Sequence, residues 1–133
     1  MTIVATSKEY DQLMKNAKDC TALGATISLL HWDQEVMMPK RGLDFRADQI
    51  SLTSKMYHEM LTDSKNVNLL SACESDSDLV SDPTSDSAAN IREIRHAYNR
   101  ATKLPSSLVE EEAMLSSRGQ SAWAQARKNN DYS

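Results

Sequence analysis

Two pairs of histidine and glutamate have spacings that are used for metal binding on helices. The segment His58-Glu59-Met60-Leu61-Thr62 differs from the zinc motif H-E-x-x-H only at its last position, where the motif has its second imidazole ligand and where the glutamate serves as general base. Because a neutral hydroxyl is a poor zinc ligand beside an imidazole, Thr62 predicts that no zinc site forms there. We interpret His58 and Glu59 as an ordinary exposed pair near the end of a helix.

A second pair, Glu93 and His96, has the Glu-x-x-His spacing of di-iron four-helix bundles. Such a site needs two of these motifs and a glutamate from each of two further helices, and the sequence contains only one motif. A site built from His31, His58 and His96 stays open as an alternative, because the three histidines fall on three different predicted helices. We predict that no residue of this chain is catalytic and that none binds a metal or another cofactor.

Patterns for nucleotide binding and covalent catalysis are missing from the sequence. The glycines Gly24, Gly42 and Gly119 form no Gly-rich phosphate loop, and no serine lies in a G-x-S-x-G elbow. Neither Cys20 nor Cys73 has a histidine nearby in sequence. These observations disfavour nucleotide enzymes and give no sign of an activated nucleophile.

The composition predicts an all-α fold with about five antiparallel helices. Hydrophobic residues make up 40% of the 133 residues, aromatic residues only 5%, and charged residues 26%, which suits aliphatic side chains packed between helices in a single domain. We therefore expect one helical segment over residues 1–133. The Ser- and Asp-rich stretch 74–86 predicts a flexible acidic loop within it.

Apolar spacing and end signals locate the helices. The first begins at a capping box, Thr6–Glu9, runs to about Leu30 and is closed off by the breakers Pro39–Gly42. The others are expected from the N-cap Asp44 to Leu61, over Lys65–Ala72, around Ile91–Ala101, and from a second capping box, Ser107–Glu110, onward. Glu110, Glu111 and Glu112 then lie in a first turn, where carboxylates oppose the helix dipole.

Gly119, inside the fifth predicted helix, lowers helix propensity, and we expect it to mark the close approach of another helix.

Charge and cysteine usage limit the partners and the compartment. The formal net charge of −4, with both signs interspersed, provides no basic face for nucleic acid. No segment is apolar enough to serve as a secretory signal or to cross a bilayer. Cys20 and Cys73 belong to no C-x-x-C pair, which favours two reduced, partly buried thiols over a disulfide. We expect a cytoplasmic protein without nucleic-acid or membrane partners.

The most specific string in the chain is Leu30–Pro39, with the sequence LHWDQEVMMP. It is followed by Arg46–Ile50, then by Tyr98–Pro105, and finally by Trp123–Tyr132. In this order the segments resemble those of the carboxypeptidase Taq family, and the resemblance covers roughly Tyr10 to Tyr132. It is the ordered set of segments, more than any one of them, that makes the resemblance specific.

The resemblance implies a much longer, largely helical enzyme, typically dimeric, that removes C-terminal residues from peptides. Its zinc or cobalt ion would be held by H-E-x-x-H and a downstream glutamate, which lie beyond Ser133. On this view the chain is a truncated N-terminal part that is inactive by itself. Helices separated from a larger domain leave apolar faces bare, so we expect a homo-oligomer or association through exposed helix faces.

The resemblance also singles out motif residues, to which we assign a structural role. Trp32, Asp33, Gln34 and Arg46 are expected to fix the connection between the first two helices and not to touch substrate. Trp32 is expected to anchor the end of the first helix, and Asp33 to bond either backbone N–H groups of the following loop or Arg46. Arg127, one turn after Trp123, is expected to pack on that helix and to meet Asp131. The full set is Trp32, Asp33, Gln34, Met38, Pro39, Arg46, Gln49, Trp123, Arg127 and Asp131.

Two other functions remain open from the sequence. One is a standalone helical interaction module or dimerising remnant without enzymatic activity, which an exposed apolar patch on the second or fifth helix would favour. The other is a ferritin-like metal bundle, which metal analysis of the purified chain would test.

Overall fold

A computed structural model describes residues 7–131, and all regular secondary structure within them is helical. The helices are α1 (Lys8–Val36), α2 (Leu43–Thr62), α3 (Ser64–Ser75), α4 (Ser77–Val80), α5 (Asp86–Ala101) and α6 (Ser106–Asn129), with a 3-10 turn at Lys40–Gly42 before α2. The all-α prediction is confirmed, and the addition to the five expected helices is the single turn α4.

Helix α1 is longer than the sequence pattern predicted. Ser7 Oγ accepts a hydrogen bond from the backbone N–H of Tyr10, 3.2 Å away, so Ser7 caps the helix start. Thr6, the expected cap, lies outside the described residues. The helix continues to Val36 because nothing before Pro39 breaks it, and the N–H groups of Met37 and Met38 both bond to Asp33 O.

The next two helices begin differently from each other. Asp44 was expected to cap α2 but lies inside its first turn, because the 3-10 turn leads directly into Leu43. Asp63 caps α3 by accepting a hydrogen bond from the N–H of Lys65, at 2.8 Å. A single capping residue, Asp63, therefore separates α2 from α3.

The acidic stretch 74–86 contains more regular structure than the predicted loop. Helix α3 extends through Ser75, and Asp76 caps α4 by accepting a hydrogen bond from Asp78 N. Leu79 on α4 is buried, which explains why this short turn is held against its neighbours. Within this stretch, Asp76 and residues 81–85 are the connections between helices.

The predicted capping box at the start of the last helix is wrong. Pro105 occupies the N-cap position and Ser106 is the first helical residue, so Ser107 is already inside α6. Proline suits this position because its fixed φ leads into a helix and it has no N–H to satisfy. As a result Glu110, Glu111 and Glu112 lie beyond the first turn, which contains no acidic residue.

The fold divides into two compact units. Unit 1 consists of Glu59–Leu104 with the described part of Met1–Thr21, and unit 2 of Ala22–His58 with the described part of Pro105–Ser133. Helices α1 and α2 each contribute residues to both. The sequence pattern did not indicate this division.

Unit 1 contains a filled aliphatic core. Helices α3, α4 and α5 contact one another, and the start of α1 packs into the same cluster. The buried members are Tyr10, Leu13, Leu70, Cys73, Leu79 and Ile91. Each large aliphatic side chain buried in this way contributes about 1.5–3 kcal/mol to folding, so unit 1 has its own source of stability.

Both cysteines lie in unit 1, free and buried, as the sequence predicted. Burial raises the pKa of the Cys20 thiol, and the nearby Asp19 carboxylate raises it further. Burial also raises the pKa of the Cys73 thiol, with a further contribution from Glu9. Both thiols are therefore less ionised than a free cysteine at neutral pH.

Unit 2 is held together mainly by small and polar side chains. Its buried residues, among those described, are Ala47, Ile50, Ser51, His58, Ala113 and Ser117. Gly24 allows the ring of Tyr57 to approach α1, since a Cβ at this position would lie 3.4 Å from Tyr57 Cε2. At Gly119 the described residues do not provide the expected close approach, because apart from the adjacent residues and the helix's own backbone none of their atoms lies within 4 Å of an added Cβ.

Candidate functional site

Arg46, on α2, joins the end of α1. Its Nη1 lies 2.6 Å from Asp33 Oδ2 and donates to Leu30 O at 2.9 Å, while its Nε donates to Gln49 Oε1 at 2.9 Å. The Arg46 side chain is only 16% exposed, and hydrogen bonds from a charged donor are stronger than neutral ones. Of the two partners considered for Asp33, the structure provides Arg46. Gln49 enters the same network by orienting the guanidinium.

Gln34 contacts α6, whereas the sequence analysis assigned it to the connection between the first two helices. Its Nε2 donates to Ser117 O at 3.0 Å, and Ser117 Oγ donates back to Gln34 Oε1 at 2.5 Å. The pair is therefore reciprocal and satisfies both ends of the amide. Ser117 was missed by the sequence analysis, although its spacing of four from buried Ala113 places both residues on one helix face.

Trp32 is 53% exposed, and its expected role as an anchor at the end of α1 stays a prediction. The helix continues past Trp32 to Val36. The turn that follows is organised by Pro39, whose carbonyl accepts a hydrogen bond from Gly42 N at 2.8 Å. A Cβ at position 42 would lie 3.2 Å from Met38 Cγ, so the absence of a side chain at Gly42 lets Met38 pack there.

Near the end of α6, Arg127 lies over Trp123. The guanidinium carbon is 5.3 Å from the centre of the indole, within the range of a cation–π interaction. Trp123 remains 54% exposed. Asn130 adopts a left-handed conformation that ends the helix, and Asp131 N donates to Ala126 O at 2.9 Å. The expected contact between Arg127 and Asp131 stays a prediction.

His58 is buried, not exposed as the sequence analysis expected. Its Nδ1 lies 3.0 Å from Ser106 Oγ at the start of α6. The same seam between α2 and α6 contains Ser51, which donates to Glu110 O at 3.2 Å, and Lys55, which lies 3.1 Å from the Glu110 carboxylate. His58 and Glu110 therefore join two helices of unit 2.

The described residues do not provide a metal site. Within 7–131, no group of three or more His, Cys, Asp or Glu side chains is placed to hold a metal ion. The three histidines thus do not converge, and these residues do not fit the metal that the resemblance implies for the whole enzyme. Nor is any described helix both long and apolar enough to cross a membrane.

Two open cavities lie at different places in the fold. One of about 500 Å³ in unit 2 is bordered by Gln34, Met38 and several α6 residues, with Lys40, Arg118 and Lys128 opposing the single carboxylate of Glu35 among its lining residues. A larger one of about 760 Å³ lies in unit 1 and contains none of the motif residues. There, Asn16 donates to Asn66 Oδ1 at 2.9 Å, and Asn66 donates to Met60 O.

A family model for the carboxypeptidase Taq (M32) metallopeptidases matches residues 12–133. Thermostable carboxypeptidase 1 of Thermus thermophilus is 37% identical over 123 residues, which cover 92% of this chain and 24% of that protein. Carboxypeptidase 1 of Bacillus subtilis is 25% identical over 133 residues, covering all of this chain and 25% of that protein. The chain thus spans about a quarter of the length of the curated relatives it matches.

A solved structure called "BsuCP Crystal Structure" has the same fold over this region. The TM-score is 0.85 at 21% sequence identity, and the match covers 95% of this chain and 25% of that chain.

Proposed function

Because this chain belongs to the carboxypeptidase Taq (M32) metallopeptidase family, we propose that it is the N-terminal helical part of a metal-dependent enzyme that removes C-terminal residues from peptides. The observation that carries the proposal is the family match, which extends over residues 12–133. Since the matched relatives are about four times longer, the proposal assigns peptide binding and hydrolysis to the whole protein. The chain by itself is inactive.

The metal belongs to another part of the protein in this proposal. Zinc or cobalt is bound by an H-E-x-x-H motif and a downstream glutamate that this chain does not contain. When bound, the ion supplies Lewis-acid polarisation of the peptide carbonyl and an activated water. The residues of this chain hold the surrounding helices and do not take part in that step.

Of the motif residues, Asp33, Gln34 and Arg46 hold helices to one another, and none of the set touches the substrate. This assignment is supported by the partners of Asp33 and Arg46, which lie on α1 and α2, and by the pairing of Gln34 with Ser117. Asp33→Ala in the full-length enzyme is expected to lower thermal stability with little change in kcat. A severe loss of kcat at unchanged thermal stability would contradict the structural role.

We place the enzyme in the cytoplasm and expect it to form homo-oligomers or to associate through exposed helix faces. The two free, buried thiols support a reducing compartment. Sedimentation of the endogenous protein tests the oligomeric state, and fractionation of the source cells tests the location.

The experiment that tests the function is the intact mass of the endogenous polypeptide, captured from source cells with an antibody raised against this segment. A product several times heavier that carries H-E-x-x-H is expected. It should release C-terminal residues from peptides and lose this activity in a chelator. A product that ends near Ser133 would exclude peptide hydrolysis by this mechanism.

A second function is favoured by one specific observation. Leu52 and Met56 on α2, and Leu115 and Trp123 on α6, are exposed, as expected for a standalone interaction module. This function predicts an endogenous product close to 14.9 kDa that has no peptidase activity and co-purifies with a partner in stoichiometric amount.

A further inference from the structure

The large exposed hydrophobic side chains are concentrated in unit 2. Of those in the described part of the chain, only Leu104 belongs to unit 1. Those of unit 2 lie on three helices and the turn after α1: Leu29, Trp32 and Val36 on α1, Met37 after it, Phe45, Leu52 and Met56 on α2, and Leu108, Leu115 and Trp123 on α6. Scattered exposed hydrophobics are normal, but a concentration of this kind marks a surface that is covered in the functional protein.

Each set follows the spacing of a single helix face. On α1, Leu29, Trp32 and Val36 are separated by three and then four residues. On α2, Phe45, Leu52 and Met56 are separated by seven and then four. These intervals align side chains along one side of a helix, as they do for a face buried in a core. The pattern is therefore that of three buried faces without their covering partner.

The α6 face has a further feature that points to an outside partner. Leu115, Gly119 and Trp123 are four residues apart, and nothing described lies within 4 Å of a Cβ added at Gly119. Glycine inside a helix costs about 1 kcal/mol relative to alanine. Nothing inside the described chain accounts for that cost, whereas a polypeptide that packs closely onto α6 would.

The interior of unit 2 is correspondingly small. Ile50 is the one large aliphatic side chain among its described buried residues, whereas unit 1 buries Leu13, Leu70, Leu79 and Ile91. Since apolar burial is the main source of folding free energy, unit 2 gains less stability from its own interior than unit 1 does.

The lengths of the relatives indicate what covers unit 2. This chain corresponds to 24% of the Thermus protein and to 25% of the solved BsuCP chain, where its fold is retained with a TM-score of 0.85. In both, about three quarters of the polypeptide lie outside the matched region. We propose that the exposed apolar faces of α1, α2 and α6 in unit 2 are the docking surface for that remaining polypeptide of the enzyme. This inference rests on the proposed function.

The test uses a chimera of the Thermus protein in which the matched segment is replaced by this chain. The combined variant carries Leu52→Gln and Leu115→Gln, which change two exposed leucines of unit 2. The control is Leu104→Gln, which changes a similarly exposed leucine of unit 1. The combined variant is expected to lower the Tm of the chimera by about 3 °C or more, and Leu104→Gln is expected to leave it unchanged. In the isolated chain, all of these changes should have little effect on Tm, because the side chains are already in water.

A chimera whose Tm is indifferent to the combined variant would overturn the docking surface. A second result would also overturn it: the isolated chain forms a dimer, the combined variant dissociates that dimer, and the chimera is unaffected. The covering partner would then be a second copy of this chain. Should the chimera not fold, this chain is co-expressed with the remaining part of the Thermus protein and captured by a tag. We expect the tagged chain to retain the remaining part of the Thermus protein, and the combined variant to retain at least about tenfold less of it. If the unchanged chain retained none, the proposal would be overturned.

Activity separates this inference from the proposed function. A stable chimera that responds to the combined variant but does not hydrolyse peptides would contradict the function and leave the docking surface intact. An active chimera that is indifferent to the combined variant would contradict only the docking surface.

Discussion

The guanidinium of Arg46 bridges the Asp33 carboxylate, 2.6 Å from Nη1, and the carbonyl oxygen of Leu30, 2.9 Å from the same nitrogen. One side chain of α2 therefore holds both the backbone and a side chain near the end of α1. A planar guanidinium is suited to this because its donors point in fixed, divergent directions. Arg46 also reaches along its own helix, since its Nε donates to Gln49 Oε1 at 2.9 Å.

Arg46→Met is expected to lower the free energy of unfolding by about 1–3 kcal/mol, because it removes two hydrogen bonds and an ion pair made by a mostly buried guanidinium. Urea denaturation monitored by circular dichroism measures the change. Lys15→Met is the matched control, since its ion pair with Asp19 is exposed and should contribute less than about 0.5 kcal/mol. Equal effects of the two substitutions would contradict the importance of the Arg46 network.

Ser117→Ala is expected to cost about 1–2 kcal/mol, because Ser117 is 1% exposed and its hydroxyl donates to Gln34. The adjacent Ser116→Ala is the control, because the Ser116 hydroxyl bonds the Glu112 carboxylate on the exposed surface and should change stability by less than about 0.5 kcal/mol. The same denaturation measurement compares them. A neutral Ser117→Ala would mean that the Gln34 pair is not formed in solution.

The helical fold was predictable from the sequence, whereas several helix ends were not. Apolar spacing locates the five longer helices because burial, not local propensity, holds them. The ends depend on which residue takes the N-cap position, and the pattern does not show this. Asp63 caps α3 with a hydrogen bond and Pro105 precedes α6 without one, whereas Asp44 and Ser107 lie inside their helices. Helix α4 was missed because four residues are too few to show a period.

The candidate site was predictable only in part. Arg46 was one of two partners that the sequence suggested for Asp33, and the structure provides it. The burial of His58 and the partnership of Gln34 with Ser117 could not be deduced, because they depend on how α6, far along the chain, packs in unit 2. The exposure of Trp32 and the open space at Gly119 could not be deduced either, because helical spacing does not show which faces meet a neighbour.

Glu74→Gln is expected to remove part of the pH dependence of stability. Two hydrogen bonds of 2.7 Å from Arg95 hold the pKa of the Glu74 carboxyl below its ordinary value. Since the folded-state pKa is the lower one, this stabilisation is fully present above the unfolded pKa of about 4.3 and is lost as the pH falls through the folded-state pKa.

The stabilisation by Glu74 should be less than about 1 kcal/mol, because the carboxylate is partly exposed and screened by solvent. The urea denaturation midpoints of the unchanged chain and of Glu74→Gln should differ at pH 7 and converge as the pH is lowered. Glu93→Gln serves as the control, because Glu93 is largely exposed and lies 3.9 Å from Arg92. A difference at pH 7 that persists unchanged in acid would contradict the ion-pair explanation.

Both cysteines are expected to react slowly with a thiol reagent in the native chain and rapidly in concentrated urea. Burial and nearby carboxylates raise the pKa of each thiol, which lowers the thiolate fraction and adds to the steric protection. The native rate should be lower by roughly a hundredfold or more. Cys20→Ala and Cys73→Ala, each with one remaining thiol, assign the rates, and Cys73, which is fully buried, should be the slower. A fast native reaction of Cys73 would show that the core of unit 1 opens readily.

Gly119→Ala is expected to stabilise the isolated chain by about 0.5–1 kcal/mol, because glycine inside a helix loses more backbone entropy on folding and an added Cβ meets nothing within 4 Å. Gly24→Ala is the comparison. Its Cβ would lie 3.4 Å from Tyr57, so the gain should be smaller because the ring has less room. Thermal denaturation of the two variants measures the difference. If Gly119→Ala destabilised the monomeric chain, the α6 surface around this position would already be in contact with another part of the protein, and the face that we assign to an outside partner would not be free.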